Sequence, residues 1–214
     1  MNRGTDGEEK PAQRKNITIT KDKLLVVEGK DEELFFSAAL EKHIETRDIQ
    51  VLPIAGKTRL REYLEGLKRD AHFPEVISLA VIRDADESPV SALQSVHDAL
   101  KSHGLPAPEQ HGQFTGSAPR VGLFVMPDGK SHGMLETLCM DSVKSRAGSE
   151  CVQSYLDCLK QNGMRPSQVD KARAHAWLAG QINPDNRVGE AAQAGYWDFE
   201  DPAFDNLWAF IRAI

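Results

Sequence analysis

The chain has 214 residues, a formal net charge of −6, 40% hydrophobic residues and 27% charged residues. That is enough chain for one large domain or a domain with a small appendage, with an ordinary apolar supply for a core. No apolar run approaches the roughly 18 residues of a membrane span, and the acidic balance lacks the basic footprint of constitutive DNA binders.

Met1–Asn16 is polar and charged and does not read as a secretory signal. Residues 1–20 are expected to form a disordered tail, for want of apolar surface to bury. Leu24–Val27, four consecutive apolar residues, then read as a strand buried on both faces. Glu28 falls at its carboxyl end, where open α/β sheets place their ligands. Residues 31–44 have helical spacing, with Asp31, Glu32 and Glu33 in the first turn, where the helix dipole favours negative charge. A second strand, Ile49–Ile54, runs into Ala55-Gly56-Lys57-Thr58. Leu60, Tyr63, Leu64 and Leu67 recur at i, i+3, i+4 and i+7 and predict a second helix.

The third strand, Val76–Arg83, ends in Asp84-Ala85-Asp86. A third helix over residues 91–101 is expected to turn Val90, Leu93, Val96 and Leu100 inward. Residues 105–120, rich in Pro, Gly, Gln and His, read as a loop. The fourth strand, Val121–Met126, precedes the turn Pro127-Asp128-Gly129-Lys130. This alternation predicts right-handed βαβ units and a parallel sheet of about four strands.

Beyond His132 the pattern is helical, at about 134–139, 150–161, 169–178 and 203–214. Gly195-Tyr196-Trp197-Asp198-Phe199 reads as a loop pinned to the core. Cys139, Cys151 and Cys158 form no Cys-x-x-Cys pair. Cys151 and Cys158, seven apart, are expected to share a buried helix face, and reduced thiols without a signal point to the cytoplasm.

In extended backbone, residues i and i+2 point to one side, so Asp84 and Asp86 can aim two carboxylates at one point. Glu28 joins them if the first and third strands are neighbours. Three hard oxygen ligands suit Mg²⁺ or Mn²⁺ rather than Zn²⁺, and phosphodiester chemistry is the natural use of such an ion. Lys30 is a candidate phosphate contact. Gly56 and Lys57 open a helix whose main-chain N–H groups suit a phosphate, without the full P-loop pattern. Asp128 and Asp141 read as turn or cap residues, and His132 stands beside Gly133-Met134-Leu135-Glu136.

Val27-Glu28-Gly29-Lys30-Asp31, followed about 55 residues later by Asp84-Ala85-Asp86, resembles the Toprim domain of topoisomerases, primases and overcoming-lysogenization-defect nucleases. The whole chain resembles the stand-alone DUF3226-type proteins, through these motifs with Met126-Pro127-Asp128, Gly133–Glu136, Gly189–Ala192 and Gly195–Asp198. The resemblance implies a Toprim-like α/β domain over residues 21–130, with a helical C-terminal extension, residues 131–214, packed on it. It further implies Glu28 as acid/base or metal ligand, Asp84 and Asp86 as metal ligands, and Glu136 as an additional acid. Ser88 stands where topoisomerase-type members carry a third aspartate.

The resulting expectation is a Mg²⁺-dependent nuclease acting on DNA or RNA. Two alternatives stand beside it: a binding or regulatory module that needs a partner protein, and phosphotransfer on a small nucleotide through Gly56-Lys57. A basic groove built from Lys57, Arg59, Arg61, Arg83 and Lys130 would favour nucleic acid; a closed pocket near Gly56 would favour the small nucleotide.

Overall fold

The structure is a computed structural model that describes residues 17–214. The first 16 residues of the tail expected over residues 1–20 lie outside the described residues. Ile19 is buried, and Thr18 and Thr20 bracket the side chain of Gln50, so chain packed on the fold begins ahead of residue 21.

Five strands form one sheet: β1 (Lys23–Val27), β2 (Ile49–Pro53), β3 (Ser78–Asp84), β4 (Gln113–Thr115) and β5 (Arg120–Met126). Their order is β2-β1-β3-β5-β4. The first four in that order are parallel, and β4 pairs antiparallel with β5. The sheet thus has one strand more than expected, because three residues of the segment read as a loop pair along its edge. Phe114 rests there over Gly122, where any Cβ would collide with its ring.

The crossovers are α1 (Lys30–Lys42), α2 (Leu60–Arg69) and α3 (Pro89–Ser102); α4 (Leu135–Ser142), α5 (Ser149–Gln161), α6 (Val169–Leu178), α7 (Val188–Gln193) and α8 (Asp205–Arg212) follow the sheet. Strand alternation divides the core into two layers. Leu25 and Val27, Ala80 and Ile82, and Phe124 and Met126 join a cluster with α1, α4 and α6–α8. Leu24 and Val26, Leu79 and Val81, and Val121 and Leu123 pack with α2 and α3 on the other face. The helices after residue 131 therefore share one continuous core with the sheet.

Trp197 is buried, stacks on Trp177 at 5.0 Å and donates its indole N–H to the Val188 carbonyl. The aromatic loop is core, as expected. Two inward assignments are corrected. Val90, in the first turn of α3, is exposed. Cys151 and Cys158 are both exposed, because α5 buries Val152 and half-buries Leu156 instead.

Candidate functional site

Because β1 and β3 are hydrogen-bonded neighbours, their carboxyl ends bring Glu28 and Asp84 together. The Asp84 main-chain N–H donates to Glu28 Oε1 at 3.2 Å. Asp84 Oδ1 accepts the Leu135 N–H at 3.1 Å, which docks the first turn of α4 on the end of β3. Thr137 in that turn takes the Met134 N–H and donates to Asp170, tying α4 to α6.

Parity along β3 puts Asp84 on the α1/α4 side and Arg83 on the α2 side. Arg83 Nε lies 2.9 Å from Glu28 Oε1, off the N–H direction, so the contact is ionic. Its Nη1 donates to the Lys57 carbonyl at 3.0 Å. Sequence reading gave Arg83 to a basic groove; the structure buries it as the counter-charge of Glu28.

Extended backbone does not persist to Asp86. Its φ is 49°, and it exchanges both main-chain hydrogen bonds with Gly133, so its carboxylate turns to Lys57 Nζ at 2.7 Å. Asp84 and Asp86 consequently meet the site from different sides. Lys30 pairs with Glu33 at the surface, away from the site. The Gly56 N–H is spent on the Glu28 carbonyl at 2.9 Å and is not open to a phosphate.

Sequence reasoning missed Glu32. Its carboxylate folds back over Gly29, close enough that a Cβ there would stand 3.0 Å from Oε2. The Glu28-x-x-x-Glu32 spacing, from strand end into first helical turn, is the signal that would have found it. Glu136, in the first turn of α4, faces the same acids.

Electrostatics mark these carboxyls as a unit. Burial pushes Asp84 well above the usual carboxylate range, and Glu28, Glu32, Glu136 and Asp86 push in the same direction. Burial also raises Glu32, with Glu28, Glu136 and Asp31 adding to it. Glu136 is raised by burial against the opposing pull of Lys171 and His175. Glu28 is raised by burial in spite of Arg83. Asp31 Oδ1 is buried without a hydrogen-bond partner beside them.

As placed, no three Asp, Glu, His or Cys side chains among the described residues stand close enough to hold a metal ion. The donor set nevertheless suits a hard divalent cation: every donor is a carboxylate oxygen, and a positive charge there offsets the burial and the like charges that raise these groups. The fit is one of chemistry and charge, with the side chains left to close on the ion.

Asp84 and Asp86 form one wall of an open cleft of ≈ 770 Å³ whose lining includes Lys57, Ser88, Ser91, His132 and Ser167. Asp128 accepts from Lys130 and Ser131 and serves its own turn.

The profile of a family described as a protein of unknown function, DUF3226, matches residues 22–214. No curated protein matches the chain. Among solved structures, the chain is similar to a hypothetical protein from Pyrococcus horikoshii OT3, at 15% identity and a TM-score of 0.60, over 91% of this chain and 95% of that one. It is also similar to the C-terminal region of the Xanthomonas campestris pv. campestris OLD protein, at 17% identity and a TM-score of 0.50, over 90% of this chain and 95% of that one. Identities this low speak to the fold alone, which is Toprim-like.

Proposed function

The chain belongs to the DUF3226 family, and from that premise we propose that it is a divalent-cation-dependent phosphodiesterase acting on nucleic acid. One observation carries the reading: Asp84 is 7% exposed at a strand end, joined to Glu28 through its own N–H at 3.2 Å, and burial first, then the neighbouring acids, raise its pKa. A buried carboxyl ringed by partly buried acids is costly unless it has a use.

Glu28, Asp84 and Asp86 would hold Mg²⁺ or Mn²⁺, and Glu32 and Glu136 would take a second ion or a proton from the α1/α4 side. Bound there, such an ion supplies positive charge to the phosphate and lowers the pKa of an attacking water. The chain's own residues orient and exclude. Leu135 fixes one oxygen of Asp84, Arg83 fixes Glu28, and the open cleft admits the substrate.

A specific observation favours the partner-dependent alternative. Of the cations expected to form a basic groove, Lys57 pairs with Asp86, Arg59 with Glu62 and Arg83 with Glu28. A partner would then supply the positive track for the nucleic-acid backbone. The small-nucleotide reading loses its main-chain donor at Gly56.

The test is cleavage of single- and double-stranded DNA and RNA with Mg²⁺ or Mn²⁺, beside folded Glu28→Gln and Asp84→Asn. Cutting that needs the metal and is lost in both variants supports the enzyme. Cutting that persists in both sinks the site, and no cutting by wild type moves the function to the partner-dependent module.

A further inference from the structure

Resting on the metal reading above, we propose that Lys57 is a built-in stand-in cation, which holds Asp86 in the metal-free protein and yields it when a divalent ion enters. The released ammonium then points along the cleft, where it meets the phosphate of the substrate.

The two cations at this edge of the sheet are held in different ways. The Arg83 guanidinium is held at two of its nitrogens, Nε by Glu28 and Nη1 by the Lys57 carbonyl, and its side chain is only 9% exposed. It is a permanent counter-charge. Lys57 is held at its main-chain carbonyl and, at the end of its side chain, by Asp86. The Gly56 N–H is bound to the Glu28 carbonyl at 2.9 Å, and the Lys57 carbonyl receives Arg83 at 3.0 Å. The Lys57 side chain is 52% exposed.

Asp86 is likewise fixed at its main chain, by two bonds of 2.9 and 3.0 Å to Gly133. Its carboxylate reorients by side-chain rotation alone. The pair between them is 2.7 Å long and open to water, hence weak and readily exchanged. Lys57, Asp84, Asp86 and Ser88 all line the same cleft, so the ammonium that leaves Asp86 stays within reach of whatever is bound beside the acids.

Exchange predicts two effects of opposite sign. Mn²⁺ binding, followed by the electron paramagnetic resonance of the free ion, is compared in wild type, Lys57→Met and Lys171→Met. The last variant removes a cation near Glu136 that holds no site acid in an ion pair, and so reports the general charge effect. In Ca²⁺, binding of a short single-stranded DNA is followed by fluorescence anisotropy. Lys57→Met is expected to bind Mn²⁺ about two- to fivefold tighter and the DNA weaker by a similar factor, with Lys171→Met gaining clearly less in Mn²⁺ affinity. Unchanged Mn²⁺ affinity in Lys57→Met, an equal gain in Lys171→Met, or unchanged DNA binding overturns the exchange alone. No Mn²⁺ binding by wild type overturns it together with the metal reading.

Discussion

At Asp84 the stability of the fold and the proposed function pull apart. This carboxyl has its folded-state pKa raised first by burial and then by the neighbouring acids, whereas in the unfolded chain it titrates near 3.9. Below that value both states hold the proton. As pH rises beyond about 4 the unfolded state releases it first, so stability falls until the folded-state pKa is passed. Metal-free Asp84→Asn keeps an oxygen for the Leu135 N–H and sheds the charge. It should melt higher than wild type at neutral pH, by about 2–4 °C for each kcal/mol of burial penalty and repulsion relieved, and Mg²⁺ should narrow the gap by raising wild type alone. Equal melting temperatures without metal would contradict the penalty and the repulsion alike.

A second residue-scale prediction concerns His111. Burial lowers its pKa against the pull of Asp128 and alongside Lys130, and Nδ1 accepts the Val125 N–H at 3.0 Å, which requires the neutral ring. The unfolded chain binds a proton near 6.5. Stability is thus whole above that value and is lost as pH falls towards the folded-state pKa. Urea midpoints at pH 7.5 and 5.5 should differ less in His111→Asn, whose amide oxygen can replace the acceptor.

Glu28 and Asp84 were legible because a carboxylate ending an apolar strand has few structural uses. Glu32 was not, since the helix dipole already accounts for an acid in a first turn. The left-handed turn at Asp86 left no mark, because aspartate carries no obligate signal for positive φ.

At the scale of elements, the strands and crossover helices were readable from periodicity, whereas short elements were not. Three residues of β4 have no alternation to detect, and six residues of α7 are fewer than two turns. α7 is defined by what it meets. A Cβ on Gly189 would stand 2.4 Å from the Asp31 carbonyl oxygen and 2.7 Å from Leu34 Cβ, so glycine permits the close crossing of α1. Gly189→Ala is expected to cost about 1–3 kcal/mol in denaturant unfolding, and a cost near zero would mean that this crossing is looser than described. The misplaced cysteines of α5 have a similar origin. Its inward stripe is Val152 and Leu156, and thiols are compatible with either face.

At the scale of the molecule, strand order decides the site, and order is written in long-range pairing rather than in local pattern. β1 lies between β2 and β3, so the ends carrying Glu28 and Asp84 adjoin, while the chain before α2 delivers Lys57 from the other side. The same arrangement pairs Lys57 with Asp86 and Arg83 with Glu28. In the proposed function, chemistry and nucleic-acid affinity are therefore separable. The most direct measurement removes the need for affinity: Mn²⁺-dependent hydrolysis of bis(p-nitrophenyl) phosphate, a diester too small to require a basic groove. Wild type should turn it over, and Asp84→Asn and Glu32→Gln should each lose at least about 100-fold. Absence of metal-dependent turnover in folded wild type, or full turnover in both variants, would contradict a hydrolytic centre built on these acids.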